Sequence, residues 1–136
     1  MFDEKIIEEL YNLSLKAYKK GEIPVSAIIV KDNKVISKAY NKRNKSHNPM
    51  DHAEIIAIKK ACKRLHTWKL NECVLYVSLE PCNMCREVIN QSRIENVIYF
   101  TKNSKIINFK TNYKFWDNSY NIKFSKLLTN FFETKR

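Results

Sequence analysis

The chain has 136 residues and a formal net charge of +11, from 25 Lys and Arg against 14 Asp and Glu. That length suits one hydrophobic core and leaves no room for a second, so residues 1–136 are expected to form a single domain. No apolar run approaches the roughly 18 residues of a membrane span, and the N-terminus, Met1-Phe2-Asp3-Glu4-Lys5, is charged and acidic, so a soluble, cytoplasmic protein with no membrane partner is expected.

The first element is a helix. Asp3 and Glu4 suit its N-terminus, Ile6, Ile7, Leu10, Leu13 and Ala17 recur at helical spacing, and Gly21 offers a stop. Val25 to Val30 and Val35 to Ala39 are β-prone runs joined by Lys31-Asp32-Asn33-Lys34, which reads as a polar hairpin turn. Residues 41–51 read as a loop broken at Asn48-Pro49. Ala53, Ile55, Ile56, Ala57 and Ala61 then begin a second helix, which puts His52 and Glu54 at a loop-to-helix junction. Val74 to Ser78 is a third strand. Pro81 fits the first turn of a third helix, in which Cys82, Cys85 and Ile89 keep the helical period. Asn96 to Phe100 is a fourth strand.

Residues 99–121 interleave asparagines and lysines with Phe109, Tyr113, Phe115, Trp116 and Tyr120, and predict a loop with room for one more strand. Those aromatics suit either stacking on unpaired bases or plain core. Residues 122–132 close with an amphipathic helix carrying Leu127, Leu128, Phe131 and Phe132. Helices alternate with strands after the first hairpin, so the fold class is α/β. Cys62 and Cys73 stand alone among apolar residues and are expected as small buried side chains, unlike a disulfide framework.

The chemistry sits in His52-Ala53-Glu54 and, about thirty residues later, Pro81-Cys82-Asn83-Met84-Cys85. One imidazole and two thiolates supply three zinc ligands, His52, Cys82 and Cys85, and leave the fourth tetrahedral position to water, which is a hydrolytic arrangement. Glu54 lies two residues past the histidine, beside the metal without binding it, and can carry that water's proton. Cysteines near a helix N-terminus are favoured as thiolates by the dipole and exposed amides. A redox reading of the Cys-x-x-Cys has no use for His52 and Glu54. A purely structural zinc would need a fourth ligand from His47 or His66, expected in a loop and at a helix end. H-x-E followed by P-C-x-x-C is the signature of the zinc nucleobase deaminases. The positive charge invites a polyanion through counterion release, yet a chain crowded with Lys, Asn and Ile and holding one Gly is also what an AT-rich genome encodes.

Over nearly its whole length the sequence resembles the bacterial tRNA-specific adenosine deaminases, which convert the wobble adenosine of a tRNA anticodon to inosine. The matching stretches are Glu22-Ile23-Pro24-Val25, Tyr40-Asn41, His52-Ala53-Glu54-Ile55, Leu75 to Cys85, Ser92-Arg93-Ile94, and Phe131-Phe132 with Lys135-Arg136. The zinc motif alone marks the wider cytidine deaminase-like superfamily; the Leu79-Glu80-Pro81-Cys82 context, Ser92-Arg93-Ile94 and the Phe131-Phe132 tail narrow it. The resemblance implies a three-layer α/β/α sandwich around a mixed sheet of about five strands, one zinc per chain on His52, Cys82 and Cys85, a homodimer, and an anticodon stem-loop as partner. It implies that Glu54 passes a proton from water to the purine and the departing ammonia, and that Asn41 contacts the base. The backbone near Ala53 and Leu79 would line the pocket, with Asn103, Lys135 and Arg136 among the substrate contacts. A base must leave its stack to enter such a pocket, and an anticodon loop already presents unpaired bases.

Departures from the family pattern are Ser26, where glycine is common, Asp51, where a small residue often precedes the histidine, and Thr101 to Ile106, which lacks glycine and has Asn103 in place of an acid. The rivals are a free-base or nucleoside deaminase acting on guanine, cytosine or cytidine, and a catalytically silent nucleic-acid-binding relative, whose mark would be loss of Glu54 or a ligand. All four residues are present.

Overall fold

The computed structural model describes residues 2–103 and 111–134. α1 (Phe2–Lys19) carries Asp3 and Glu4 in its first turn and Lys16 and Lys19 in its last, matching the macrodipole at both ends. Gly21 takes φ 77° and lets the Glu22 N–H bond back to the Ala17 carbonyl at 3.0 Å, the expected stop. β1 (Ser26–Lys31) and β2 (Lys34–Tyr40) form the hairpin, and its turn residues Asp32 and Asn33 both have positive φ, 51° and 60°, which short polar side chains tolerate.

The stretch expected as loop holds a one-turn helix, α2 (Arg43–Ser46), with no buried residue and hence no apolar period to announce it. The buried carboxylate of Glu22 accepts the backbone N–H groups of Asn44 and Lys45 at 3.0 and 2.9 Å and so supplies the partners that a terminal turn lacks. α3 (Ala53–Leu65), β3 (Cys73–Val77), α4 (Asn83–Gln91), β4 (Asn96–Tyr99), β5 (Asn112–Phe115) and α5 (Tyr120–Thr134) follow. Pro81 lies ahead of α4 rather than in its first turn, because Cys82 is the extended N-cap, φ −70° and ψ 171°. The extra strand allowed in 99–121 is β5; Phe109 lies outside the described residues.

The sheet order is β2-β1-β3-β4-β5, antiparallel on both sides of β1 and parallel from β3 to β5. It is a mixed five-stranded sheet. Ala27, Ile29, Leu75, Val77 and Val97 face α3 and α4, while Ile28, Val30 and Tyr76 face α1 and α5. Central strands covered on both faces are apolar without alternation, as β1 is. The result is the α/β/α sandwich. Ser26, in place of a glycine, is fully buried and satisfied: its Oγ donates to the Leu10 carbonyl at 2.6 Å and meets Ser14 Oγ at 2.7 Å, and its N–H donates to Ser78 Oγ at 3.0 Å. Cys73 is buried as expected, but Cys62 is only half-buried, on the rim of α3; both are free thiols.

Candidate active site

Two helix N-termini converge. His52 is the N-cap of α3 and Cys82 the N-cap of α4, and neither makes a side-chain capping bond. His52 Nδ1 lies 3.5 Å from Cys85 Sγ and 3.8 Å from Cys82 Sγ, and the three ligand atoms lie within 4.8 Å of one another. A tetrahedral zinc with Zn–N of about 2.0–2.1 Å and Zn–S of about 2.3 Å sets N···S edges of about 3.6 Å and S···S edges of about 3.8 Å. The donor atoms therefore stand where such an ion needs them, with one borderline nitrogen and two sulfurs, the chemistry zinc prefers. His47 and His66 are exposed left-handed caps of α2 and α3 and do not join the group.

The electrostatics suit a cation. The Cys82 thiol is pulled down to about 3 by hydrogen bonds from Cys85 and then from His52. His52 is raised, chiefly by its hydrogen bond to Cys82, while Cys85 is pushed up by donating to Cys82 and by burial. A divalent ion held there would supply the positive charge that favours both cysteines as thiolates.

Glu54, in the first turn of α3, is buried, and its Oε1 has no hydrogen-bond partner among the described residues. Burial pushes its carboxyl above the usual carboxylate range. It forms one wall of a pocket of about 100 Å³ shared with His52 and Cys82. Ile23, Val25 and Leu79 give that pocket an apolar side; Asn41, Arg43 and Asn103 give it a polar one. Asn41 is held there by its N–H, which donates to the Val25 carbonyl at 3.0 Å. Thus His52, Glu54, Cys82, Asn41, Leu79 and Asn103 line one pocket, and Cys85 joins His52 and Cys82 at its metal group. Ala53 sits between the two key residues of α3 with its side chain in the core. Lys135 and Arg136 lie outside the described residues.

Sequence reasoning missed the support behind the pocket. Arg86 is buried in α4 and donates from Nη2 to Glu80 Oε2 at 2.7 Å and from Nε to the Pro81 carbonyl at 3.1 Å. Its guanidinium lies 3.8 Å from the ring centroid of Tyr113 on β5. Glu80 lines the pocket, and its Oε1 accepts the Asn103 N–H at 3.1 Å, so one buried ion pair fixes the approach to Cys82 and the Asn103 wall. A basic residue one position after a metal ligand gave no warning, because its partners come from residues 80–81, ahead of α4, and from β5.

The sequence pattern of the cytidine and deoxycytidylate deaminase zinc-binding region matches residues 1–101. The chain belongs to that deaminase family. Zinc is the family's metal, and the triplet described above fits it. A tRNA-specific adenosine deaminase of Aquifex aeolicus is 51% identical over 90 residues, 66% of this chain and 60% of that protein. The chain thus spans about 60% of the length of the curated relatives it matches. A solved tRNA:A34 deaminase, described as editing A to I at the wobble position of transfer RNA, is similar at TM-score 0.69 and 33% identity over 74% of this chain and 77% of its own. A guanine deaminase from Bacillus subtilis is similar at TM-score 0.68 and 38% identity, over 73% and 64%.

Proposed function

We propose that this deaminase hydrolyses adenosine to inosine at the wobble position of a tRNA anticodon, with zinc on His52, Cys82 and Cys85 and with Glu54 as the proton carrier. The observation that carries the reading is the unpartnered buried oxygen of Glu54 facing the same small pocket as His52 and Cys82. His52, Cys82 and Cys85 would hold the zinc, which would supply a Lewis acid that brings the ionisation of a water near neutral pH. Glu54 accepts the first proton and returns it to N1 of the purine, then carries the second to the leaving amine. A C6–O bond forms, the C6–N bond breaks, and ammonia departs. A carboxyl raised by burial exchanges protons closer to neutrality than an exposed one, which is what such a shuttle needs. Asn41 supplies an amide at the base edge, and Ile23, Val25 and Leu79 exclude water from its face.

The pocket, at about 100 Å³, is below the ~300–1,000 Å³ of drug-sized sites and takes a base without its sugar and phosphates. The likeness to tRNA-specific adenosine deaminases and the charge of +11 support an RNA as the carrier of that base. The likeness to a guanine deaminase at 38% identity favours a second reading, in which the same pocket takes free guanine. Incubation with total tRNA, followed by sequencing for A-to-I change at the wobble position, is expected to reveal inosine. Deamination of guanine with tRNA unchanged would select the second reading.

We further read residues 1–136 as one deaminase domain, supported by a single sheet with a core on each face. We also propose a homodimer, as the resemblance of the sequence implies; Met50 and Met84 are exposed apolar side chains. A tRNA substrate supports a cytoplasmic location. None of the described helices is long and apolar enough to cross a membrane.

A further inference from the structure

We propose that Tyr40 and the cations gathered on it form a phosphate-binding step at the mouth of the pocket, which grips the RNA backbone beside the base that enters. The proposal rests on the RNA reading above and says where on the surface the strand is held. Tyr40 ends β2 and is followed at once by Asn41, a pocket wall, so its ring stands one residue from the cavity. Lys20, just past the end of α1, donates from Nζ to the Tyr40 hydroxyl at 2.8 Å and lies 5.4 Å from the ring centroid. The Lys42 ammonium lies 5.1 Å from the same centroid. Arg43, the next residue, lines the pocket itself.

Among the described residues, no carboxylate lies within ion-pair distance of Lys20, Lys42 or Arg43, whereas Lys31 and Lys38 are matched by Glu72 and Glu9. Glu22, the acid that reaches this corner, is occupied by the N–H groups of Asn44 and Lys45. The crowding is felt by its members. The Tyr40 phenol is lowered, first by the Lys20 hydrogen bond and then by the charges of Lys20, Lys42 and Lys45; the Lys60 ammonium is lowered by burial and by Lys42. Like charges assembled without counter-charges are a standing cost to the fold that a bound anion removes. Tyr40 also holds two long side chains in place before any ligand arrives, which reduces the entropy lost on binding.

A phosphodiester is the anion that fits. The pocket takes a base and little more, so the strand attached to that base must leave through the mouth, and its neighbouring phosphates pass over the rim. Arg43 lines the pocket, Tyr40 and Lys42 flank the pocket residue Asn41 on either side along the chain, and Lys20 is brought to Tyr40 by the phenol.

The test is RNA binding by the zinc-loaded protein against salt, with a synthetic anticodon stem-loop followed by fluorescence anisotropy. Lys20→Ala/Lys42→Ala is compared with Lys34→Ala/Lys63→Ala, which removes the same charge from the hairpin turn and the last turn of α3. Lys34 lies six residues from Tyr40 along β2, roughly 20 Å at ~3.3 Å per residue and beyond the ~10 Å screening length at 0.1 M salt. Loss of two single-strand phosphate contacts is expected to flatten the log–log salt slope by about 1.4 and weaken binding roughly 10- to 30-fold at about 0.1 M salt, with the control pair near native. Inosine formation at saturating RNA should keep its kcat while KM rises. A native slope in Lys20→Ala/Lys42→Ala, or an equal loss in the control, overturns the phosphate step. Native protein that binds this RNA with the expected slope dependence yet forms no inosine overturns the deamination reading alone, and native protein that does not bind it overturns both.

Discussion

Replacing Arg86 with alanine should be among the most destabilising single changes in this protein. The side chains of Arg86 and Glu80 are 3% and 9% exposed, and their ion pair is 2.7 Å long. Removing the guanidinium leaves the Glu80 carboxylate buried without its counter-charge, strips the Pro81 carbonyl of a donor, and opens space above Tyr113. Breaking a buried pair from one side costs about 3–5 kcal/mol. For a chain of this size each kcal/mol moves Tm by roughly 3–5 °C, so the melting temperature should fall by roughly 10–20 °C. Glu80→Gln/Arg86→Met removes both charges while keeping much of the volume, and should recover a good part of that loss, because an uncompensated buried charge and not the missing contact is the dominant cost. Lys31→Ala, which breaks the exposed pair with Glu72, should cost at most about 1 kcal/mol. Thermal melts of Glu80→Gln, Arg86→Met and the double variant close a cycle, with Arg86→Ala and Lys31→Ala measured beside it. A loss below about 1 kcal/mol for Arg86→Ala, or strict additivity in the double variant, would refute the reasoning.

Burial raises the carboxyl of Glu54 in the folded chain, so the folded state holds that proton to higher pH than the unfolded state does, and stability falls as pH rises through the interval between the two values. In zinc-free protein Glu54→Gln should therefore melt higher than native at pH 8 and equal to it below the ordinary carboxylate range; the same Tm difference at both pH values would contradict this. Phe131 is 7% exposed and packs at 6.4 Å from the Tyr18 ring, whereas Phe132 is 52% exposed, so Phe131→Ala should cost about 3 kcal/mol and Phe132→Ala within about 0.5 kcal/mol, as chemical denaturation would record. Asn103 lines the pocket with a neutral amide; Asn103→Asp adds an acceptor for a ribose 2′-hydroxyl and repels a close phosphate, so the variant should favour an RNA hairpin over the matching DNA hairpin more strongly than native protein does. An identical RNA-to-DNA rate ratio in both proteins removes residue 103 from any reading of the sugar.

The metal group was legible because its three side chains fall in two short motifs whose ends are helix caps, and a cap position is set by local backbone: His52 and Cys82 are both extended residues immediately ahead of a helix. The core strands were legible for the same local reason, apolar runs bounded by turn residues with positive φ at Asp32 and Asn33. What could not be read depends on long-range pairing. Arg86 looks like any helix-surface cation until Glu80, Pro81 and Tyr113 enclose it. α2 has no apolar residue in its turn and exists because Glu22, more than twenty positions earlier, accepts its backbone N–H groups. β5 is a four-residue edge strand whose Asn112-Tyr113-Lys114-Phe115 alternation becomes distinctive only once β4 lies beside it. Lys20 likewise joins Tyr40 across the end of α1, a contact that spacing along the chain cannot announce.

The most direct test of the central claim, that Glu54 moves protons beside a metal it does not hold, is single-turnover inosine formation on an anticodon stem-loop by native protein and Glu54→Ala, with zinc content measured on the same samples. Equal zinc in both, near one per chain, with the rate lowered by at least roughly 10²- to 10⁴-fold in the variant, is the predicted result. Near-native turnover, or zinc lost together with activity, would contradict it.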